Sequence, residues 1–117
     1  MKIVLVEDEE AEATVFKKLL QRYRKETETE IDLKHFLSGE SFLDNYKGGC
    51  DVVFMDIKMT GMSGLECAER LRKADESIKL IFMTNMAKFA LEGYKYNAMD
   101  YFVKPVSYYR LNLHDRD

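Results

Sequence analysis

The sequence predicts a single α/β domain: a doubly wound, five-stranded parallel sheet with helices on both faces. Three observations carry that prediction. Five short apolar runs, around 3–6, 31–37, 52–55, 78–83 and 100–103, recur about every 20 to 30 residues with helically spaced apolar residues between them, as βαβ units require. The run Val52-Val53-Phe54-Met55 has no polar alternation, which suits a strand covered on both faces. At 117 residues and 46% hydrophobic, the chain can bury one core but not two, and it shows no repeat, low-complexity stretch or internal linker.

Taken in order, Ile3 to Val6 is β-branched and aliphatic and reads as a buried strand that the acids Glu7-Asp8-Glu9-Glu10 close. Glu9 and Glu10 then complement the dipole of a helix over about 9–25, whose apolar face is Phe16, Leu19, Leu20 and Tyr23. A solvated connection from Glu26 to Glu30 leads to Ile31, Leu33, Phe36 and Leu37, which alternate loosely with polar residues as in a strand near the sheet edge. Ser38-Gly39-Glu40 opens a short second helix with Phe42, Leu43 and Tyr46 inside, and Gly48-Gly49 ends it. Strand three follows and stops at Asp56. Ser63, with Glu66 three residues on, is the N-cap pattern of a third helix that buries Leu65, Ala68 and Leu71. Ile78 to Met83 forms strand four, and Thr84 ends it. A weak fourth helix runs through Phe89, Ala90, Gly93 and Tyr94, strand five spans Asp100 to Val103, and a truncated fifth helix begins at Val106.

Composition excludes several classes of function. No stretch approaches the roughly 20 apolar residues of a membrane span, and Met1 to Val6 is too short and too soon acidic for a signal peptide, so a cytoplasmic location is expected. A net charge of −3 with no basic stripe argues against nucleic-acid binding by this segment. Cys50 and Cys67 lack metal-ligand spacing and read as reduced packing residues. His35 and His114 lie apart and are assigned to neither metal nor catalysis.

The stretch Asp51 to Gly64, D-V-V-F-M-D-I-K-M-T-G-M-S-G, organises the rest. A parallel sheet points all its carboxyl ends one way, so Glu7, Asp8, Asp56, Thr84 and Lys104 are brought to one rim from across the sequence. Three carboxylates there repel one another by about 4 kcal/mol per pair at 4 Å and an effective dielectric near 20. Lys104 supplies one positive charge, and the remainder suits a hard, oxygen-liganded divalent ion such as Mg²⁺. Beside such an ion, with a lysine and the Thr84 hydroxyl, Asp56 becomes an acceptor for a phosphoryl group. The charge added would shift the loop after strand four and the packing of Tyr101, which describes a switch rather than a turnover enzyme.

With V-E-D-E at Val6 to Glu9, F-M-D-I-K-M at Phe54 to Met59, the following G-M-S-G, M-T-N at Met83 to Asn85 and Y-F-V-K-P at Tyr101 to Pro105, the chain resembles the response-regulator receiver domain of two-component signalling over its whole length, 1–117. The resemblance implies the flavodoxin-like strand order 2-1-3-4-5. It implies Asp56 as phosphoacceptor, Asp8 as direct and Glu7 as water-mediated Mg²⁺ ligand, and the Lys58 backbone carbonyl as a third ligand. It further implies Thr84 and Lys104 on the phosphoryl group, Tyr101 as the switching aromatic, and a cis Lys104–Pro105 bond. The partner would be a sensor histidine kinase, with a homodimer forming on phosphorylation. The stretch from Ala90 to Val106 is similar to receivers joined to LytTR-type DNA-binding domains, so DNA would be met only through an output domain absent from this chain. Departures stand at Glu7, where the family favours Asp, at Asn85, which narrows access to the site, and at Lys58 and Met86, positions that tune phosphoryl lifetime in relatives.

Each motif alone has a blander reading: Asp56 as a helix cap, Glu7-Asp8 as dipole compensation, Lys104 as a solvated charge, Tyr101 and the seven methionines as core. Two other functional classes stand beside the switch. One is a receiver-like interaction module independent of phosphate. The other is a phosphatase of the haloacid dehalogenase type, which needs a second acid two residues after its nucleophile, where this chain has Lys58. A flavodoxin-like cofactor carrier would need a phosphate loop after strand one, and there is none. Tyr94, Tyr96, Met99, Tyr108 and Tyr109 suggest an apolar patch, either a dimer surface or the seat of a further domain.

Overall fold

A computed structural model of the chain describes residues 1–85 and 94–113. Five strands, β1 (Lys2–Val6), β2 (Asp32–Phe36), β3 (Val52–Asp56), β4 (Lys79–Thr84) and β5 (Asp100–Val103), form one all-parallel sheet in the order β2-β1-β3-β4-β5. Helices α1 (Glu10–Thr27), α2 (Gly39–Asn45) and α3 (Gly64–Ala74) connect them. The predicted fold class and strand order are both present.

Burial follows position in the sheet. All five residues of the central β3 are buried, whereas the edge strand β2 has none fully buried, which explains its looser alternation in sequence. Successive side chains point to opposite faces, so β3 feeds two cores. Val53 and Met55 meet Phe42, Cys67, Ala68 and Leu71 from α2 and α3, while Val52 and Phe54 meet Phe16, Leu20 and Tyr23 from α1. The Phe16 and Phe54 rings lie 4.8 Å apart, joining α1 to the sheet centre.

The α3 cap forms as the sequence predicts, with the Ser63 hydroxyl accepting from the Glu66 N–H. The Glu66 carboxylate reaches forward to Arg70 instead of back to the cap. Helix α1 runs two residues beyond its predicted end, because Thr27 Oγ1 donates to the Tyr23 carbonyl and Glu28 turns the chain in the left-handed region. Helix α2 stops at Asn45 rather than at Gly48-Gly49, as Tyr46 turns extended and its hydroxyl donates to Asp75. Most of the predicted fourth helix lies outside the described residues, as do Met86 and His114.

The fifth helix is truncated, as predicted, and takes the form of a single 3-10 turn at Tyr108–Arg110. Leu111 and Leu113 nonetheless reach the α1 side of the core, and the Arg22 guanidinium sits 3.8 Å from the Tyr108 ring centroid. This segment therefore packs on α1 without a continuous helix. Of the predicted patch, Tyr94, Met99 and Tyr109 are exposed, while Tyr96 and Tyr108 pack against the cores. Both cysteines are free, Cys67 buried and Cys50 half-buried.

Candidate functional site

The carboxyl ends of β1, β3, β4 and β5 meet at one rim. Glu7 directly follows β1 and is held against the edge strand from two directions. Its N–H donates to the Phe36 carbonyl at 3.0 Å, and its own carbonyl faces His35 Nε2 at 2.8 Å. A carbonyl oxygen only accepts, so His35 carries its proton on Nε2. Asp56 ends β3 and Thr84 ends β4, and both are buried, at 4% and 1% exposure. Lys104 follows β5, positioned by its N–H bond to the Thr84 carbonyl at 2.8 Å and followed by a cis peptide bond to Pro105. The loop between β3 and α3 is fixed by Gly64, whose N–H donates to the Ile57 carbonyl, and by Gly61 in the left-handed region.

Each of Glu7, Asp8 and Asp56 offers one carboxylate oxygen, and the three atoms lie within 4.8 Å of one another. Lys104 Nζ reaches Glu7 Oε1 at 2.5 Å, Glu12 Oε2 at 2.9 Å and Asp56 Oδ2 at 3.2 Å. Burial, followed by the neighbouring Asp56 carboxylate, pushes Glu7 up to about 8, against the opposing pull of Lys104. For Lys104, burial disfavours the ammonium, but its bonds to Glu7 and Glu12 and the charge of Asp56 outweigh it, and the net shift is upward. The ammonium is therefore a fixed positive charge at any physiological pH.

Asp8 faces the cleft. One oxygen, Oδ2, accepts the Thr60 N–H at 2.8 Å, whereas Oδ1 is buried and has no hydrogen-bond partner. A buried carboxylate oxygen with no hydrogen-bond partner, set beside two further carboxylates, is placed to bind a cation. An all-oxygen set of this kind fits a hard divalent cation of the Mg²⁺ type. Lys58, Met59, Thr60, Thr84 and Asn85 line the same cleft.

All five rim residues predicted from sequence thus come together, and Lys58 borders the cleft they form. Tyr101 lies apart from this carboxylate cluster on β5, opposite Phe82, with its ring edge-on to Tyr94 at 6.0 Å. The sequence reading missed Glu12, the Thr60 N–H and the His35 contact. Glu12 carried a legible signal: extending the buried stripe Tyr23, Leu20, Phe16 by one more turn lands on Glu12 and Ala13, which puts a charge where the helix meets the crevice.

Comparison with known proteins agrees with this geometry. The family model described as "Response regulator receiver domain" matches residues 3–114. The chain belongs to the response regulator receiver domain family. Among curated proteins it is similar to the sensory transduction protein LytT of Bacillus anthracis, at 30% identity over 105 residues that cover 90% of this chain and 42% of that protein. It is also similar to LytR of Staphylococcus epidermidis, 37% identical over 62 residues, or 53% of this chain and 25% of the relative. The chain spans less than half the length of these relatives. Among solved structures, the response regulator TrrA from Thermotoga maritima in complex with Mg²⁺ and BeF superposes with a TM-score of 0.82 at 28% identity, covering 98% of this chain and 96% of that one. The BeF3-activated DrrB receiver domain gives 0.79 at 25% identity, with 98% and 93% covered.

Proposed function

We propose that this receiver domain is a phosphorylation-dependent signalling switch in which Asp56 accepts a phosphoryl group from the phosphohistidine of a sensor histidine kinase, assisted by Mg²⁺. The observation that carries this reading is the unpartnered Asp8 Oδ1 within the Glu7, Asp8 and Asp56 cluster, facing the cleft that Asp56 and Thr84 share. Asp8 and Asp56 would hold the ion directly, Glu7 through water, with the Lys58 carbonyl as a further ligand. The bound ion supplies charge neutralisation for the phosphoryl oxygens.

The remaining work falls to the chain's own side chains. An Asp56 oxygen forms the new bond to phosphorus as the phosphorus–nitrogen bond of the phosphohistidine breaks, and the electron pair stays on the departing imidazole. Lys104 offsets charge on the phosphoryl oxygens, and the Thr84 hydroxyl donates to one of them. Drawing Thr84 toward the phosphoryl group moves the end of β4, and Tyr101 on the adjacent β5 repacks in response. The same groups support hydrolysis of the acyl phosphate, so the domain assists its own resetting without acting as a turnover enzyme.

The similarity to LytT and LytR supports transcriptional control through a DNA-binding output domain outside this chain, with dimerisation on phosphorylation and a cytoplasmic location. No described helix is long and apolar enough to cross a membrane. The test is incubation of the chain with acetyl phosphate and Mg²⁺, followed by intact mass measurement and peptide mapping. A single phosphoryl group on Asp56, lost in Asp56→Ala and Asp8→Ala variants that retain their circular dichroism, is the expected result. Labelling that persists in a folded Asp56→Ala variant overturns the reading.

A further inference from the structure

Lys104 is over-committed. An ammonium has three N–H bonds to give, and here three carboxylates take them: Glu7, Asp56 and Glu12. A phosphoryl oxygen can therefore bond Lys104 only by displacing one of the three. Their surroundings decide which one yields. The Glu7 side chain is 1% exposed and its backbone is tied to β2, and Asp56 is the acceptor itself. The Glu12 side chain is 37% exposed and stands on the first turns of α1, free on its outer side to swing into water at little desolvation cost.

We propose that Glu12 is a latch on Lys104, a positioning residue that competes with the phosphoryl group for the lysine and must release it for the switch to engage. This inference rests on the phosphoacceptor reading above. Glu12 also borders both the acidic cleft and a neighbouring apolar pocket lined by Val15, Leu19, Pro105 and Val106. Its release thus changes charge and shape at the junction of α1 with the segment after β5. The latch sets how readily the site takes up an anion, since every binding event carries the cost of parting an ion pair that excludes it.

The test uses the whole chain with saturating Mg²⁺ and titrates beryllofluoride, an anionic, non-covalent mimic of the phosphoryl group, by calorimetry. Glu12→Gln, which keeps the side-chain length but removes the charge, is expected to bind beryllofluoride on the order of 5- to 10-fold more tightly than the wild type. Glu12→Asp keeps the charge but retracts the carboxylate from Lys104, and should tighten binding to a similar degree. A purely structural ion pair would alter the unfolding midpoint without this gain in anion affinity. The latch is overturned if Glu12→Gln binds within about two-fold of the wild type, or if Glu12→Asp matches the wild type, which would reduce Glu12 to a general field effect. A crystal structure with beryllofluoride bound is an independent check: Glu12 should lie beyond about 4 Å from Lys104 Nζ, and continued contact there overturns the latch. Failure of the wild type itself to bind beryllofluoride is a different result, removing the phosphoacceptor reading and the latch with it.

Discussion

Replacing Asp8 by Asn should make the ion-free domain more stable, and magnesium should reverse the ranking. Asp8 brings a carboxylate oxygen within 4.8 Å of those of Glu7 and Asp56, and none of the bonds made by Lys104 goes to it. At an effective dielectric near 20, two full charges at that distance repel by about 3.5 kcal/mol. Lys104 bonds Glu7 and Asp56 but not Asp8, and burial favours the uncharged form of Glu7, so the Asp8 and Asp56 pair dominates the repulsion. Against its relief stand partial solvent screening of the half-buried Asp8 and the weakening of the bond from the Thr60 N–H, the latter worth about 1 kcal/mol. The expected net gain for Asp8→Asn in EDTA is about 1–2 kcal/mol. Magnesium stabilises only a chain that binds it, by about 1.4 kcal/mol at ten times the dissociation constant and about 2.7 kcal/mol at a hundred times. The wild type should therefore draw level with the variant and then pass it as the ion is added. The chain has no tryptophan, so urea unfolding followed by far-UV circular dichroism, with sodium chloride matching ionic strength, is the assay. An Asp8→Asn variant less stable than the wild type in EDTA, or one that gains as much from magnesium, would refute the reasoning.

Three other perturbations have defined outcomes. In Gly64→Ala the added methyl carbon would sit 2.0 Å from the Asp56 backbone oxygen, so the loop after β3 must move. A loss of about 3 kcal/mol or more in urea unfolding is expected, with weaker magnesium binding alongside it. Lys104→Met removes the cation bonded to Glu7, Glu12 and Asp56, and should destabilise the ion-free domain at neutral pH by about 3 kcal/mol, again read by urea unfolding. Burial pushes the Cys67 thiol up to about 12, so native protein at pH 8.5 should be alkylated by iodoacetamide at Cys50 and spared at Cys67, as peptide mass mapping would show. The raised Cys67 value also fixes a sign. Its contribution to stability is fully present below pH 9, where the thiol is protonated in both states, and is lost as pH climbs from 9 toward 12.

What the sequence made legible follows from which geometric facts a linear pattern contains. Strand ends are set by where an apolar run stops, and parallel topology carries all of them to one rim, so Glu7, Asp8, Asp56, Thr84 and Lys104 could be placed together with no side-chain geometry at all. The truncation of the fifth helix was legible but its 3-10 form was not, because the buried apolar residues of this segment come after the turn, at Leu111 and Leu113. Two positions apart, these suit a segment laid along α1 better than a helix presenting a stripe.

The latch required one further quantity, the rotational phase of α1. Periodicity along Phe16, Leu20 and Tyr23 shows which face is buried, but whether the first turn overhangs the crevice depends on how the chain turns between Val6 and Glu10. That turn is settled by Glu7, pinned through Phe36 and His35 of β2, an edge strand whose pairing is long-range and carries no local signal in the sequence of α1. A weakened β2 edge should therefore be felt at Glu12 as well as at Glu7. Replacing His35 by Ala frees the Glu7 carbonyl from its 2.8 Å bond, and this loosening should carry along α1 to the ion pair between Glu12 and Lys104. Magnesium affinity is expected to fall on the order of ten-fold in His35→Ala, with recovery in His35→Gln, whose amide can donate in place of Nε2. Unchanged affinity in a folded His35→Ala variant would show that the rim is held by β1 and β3 alone.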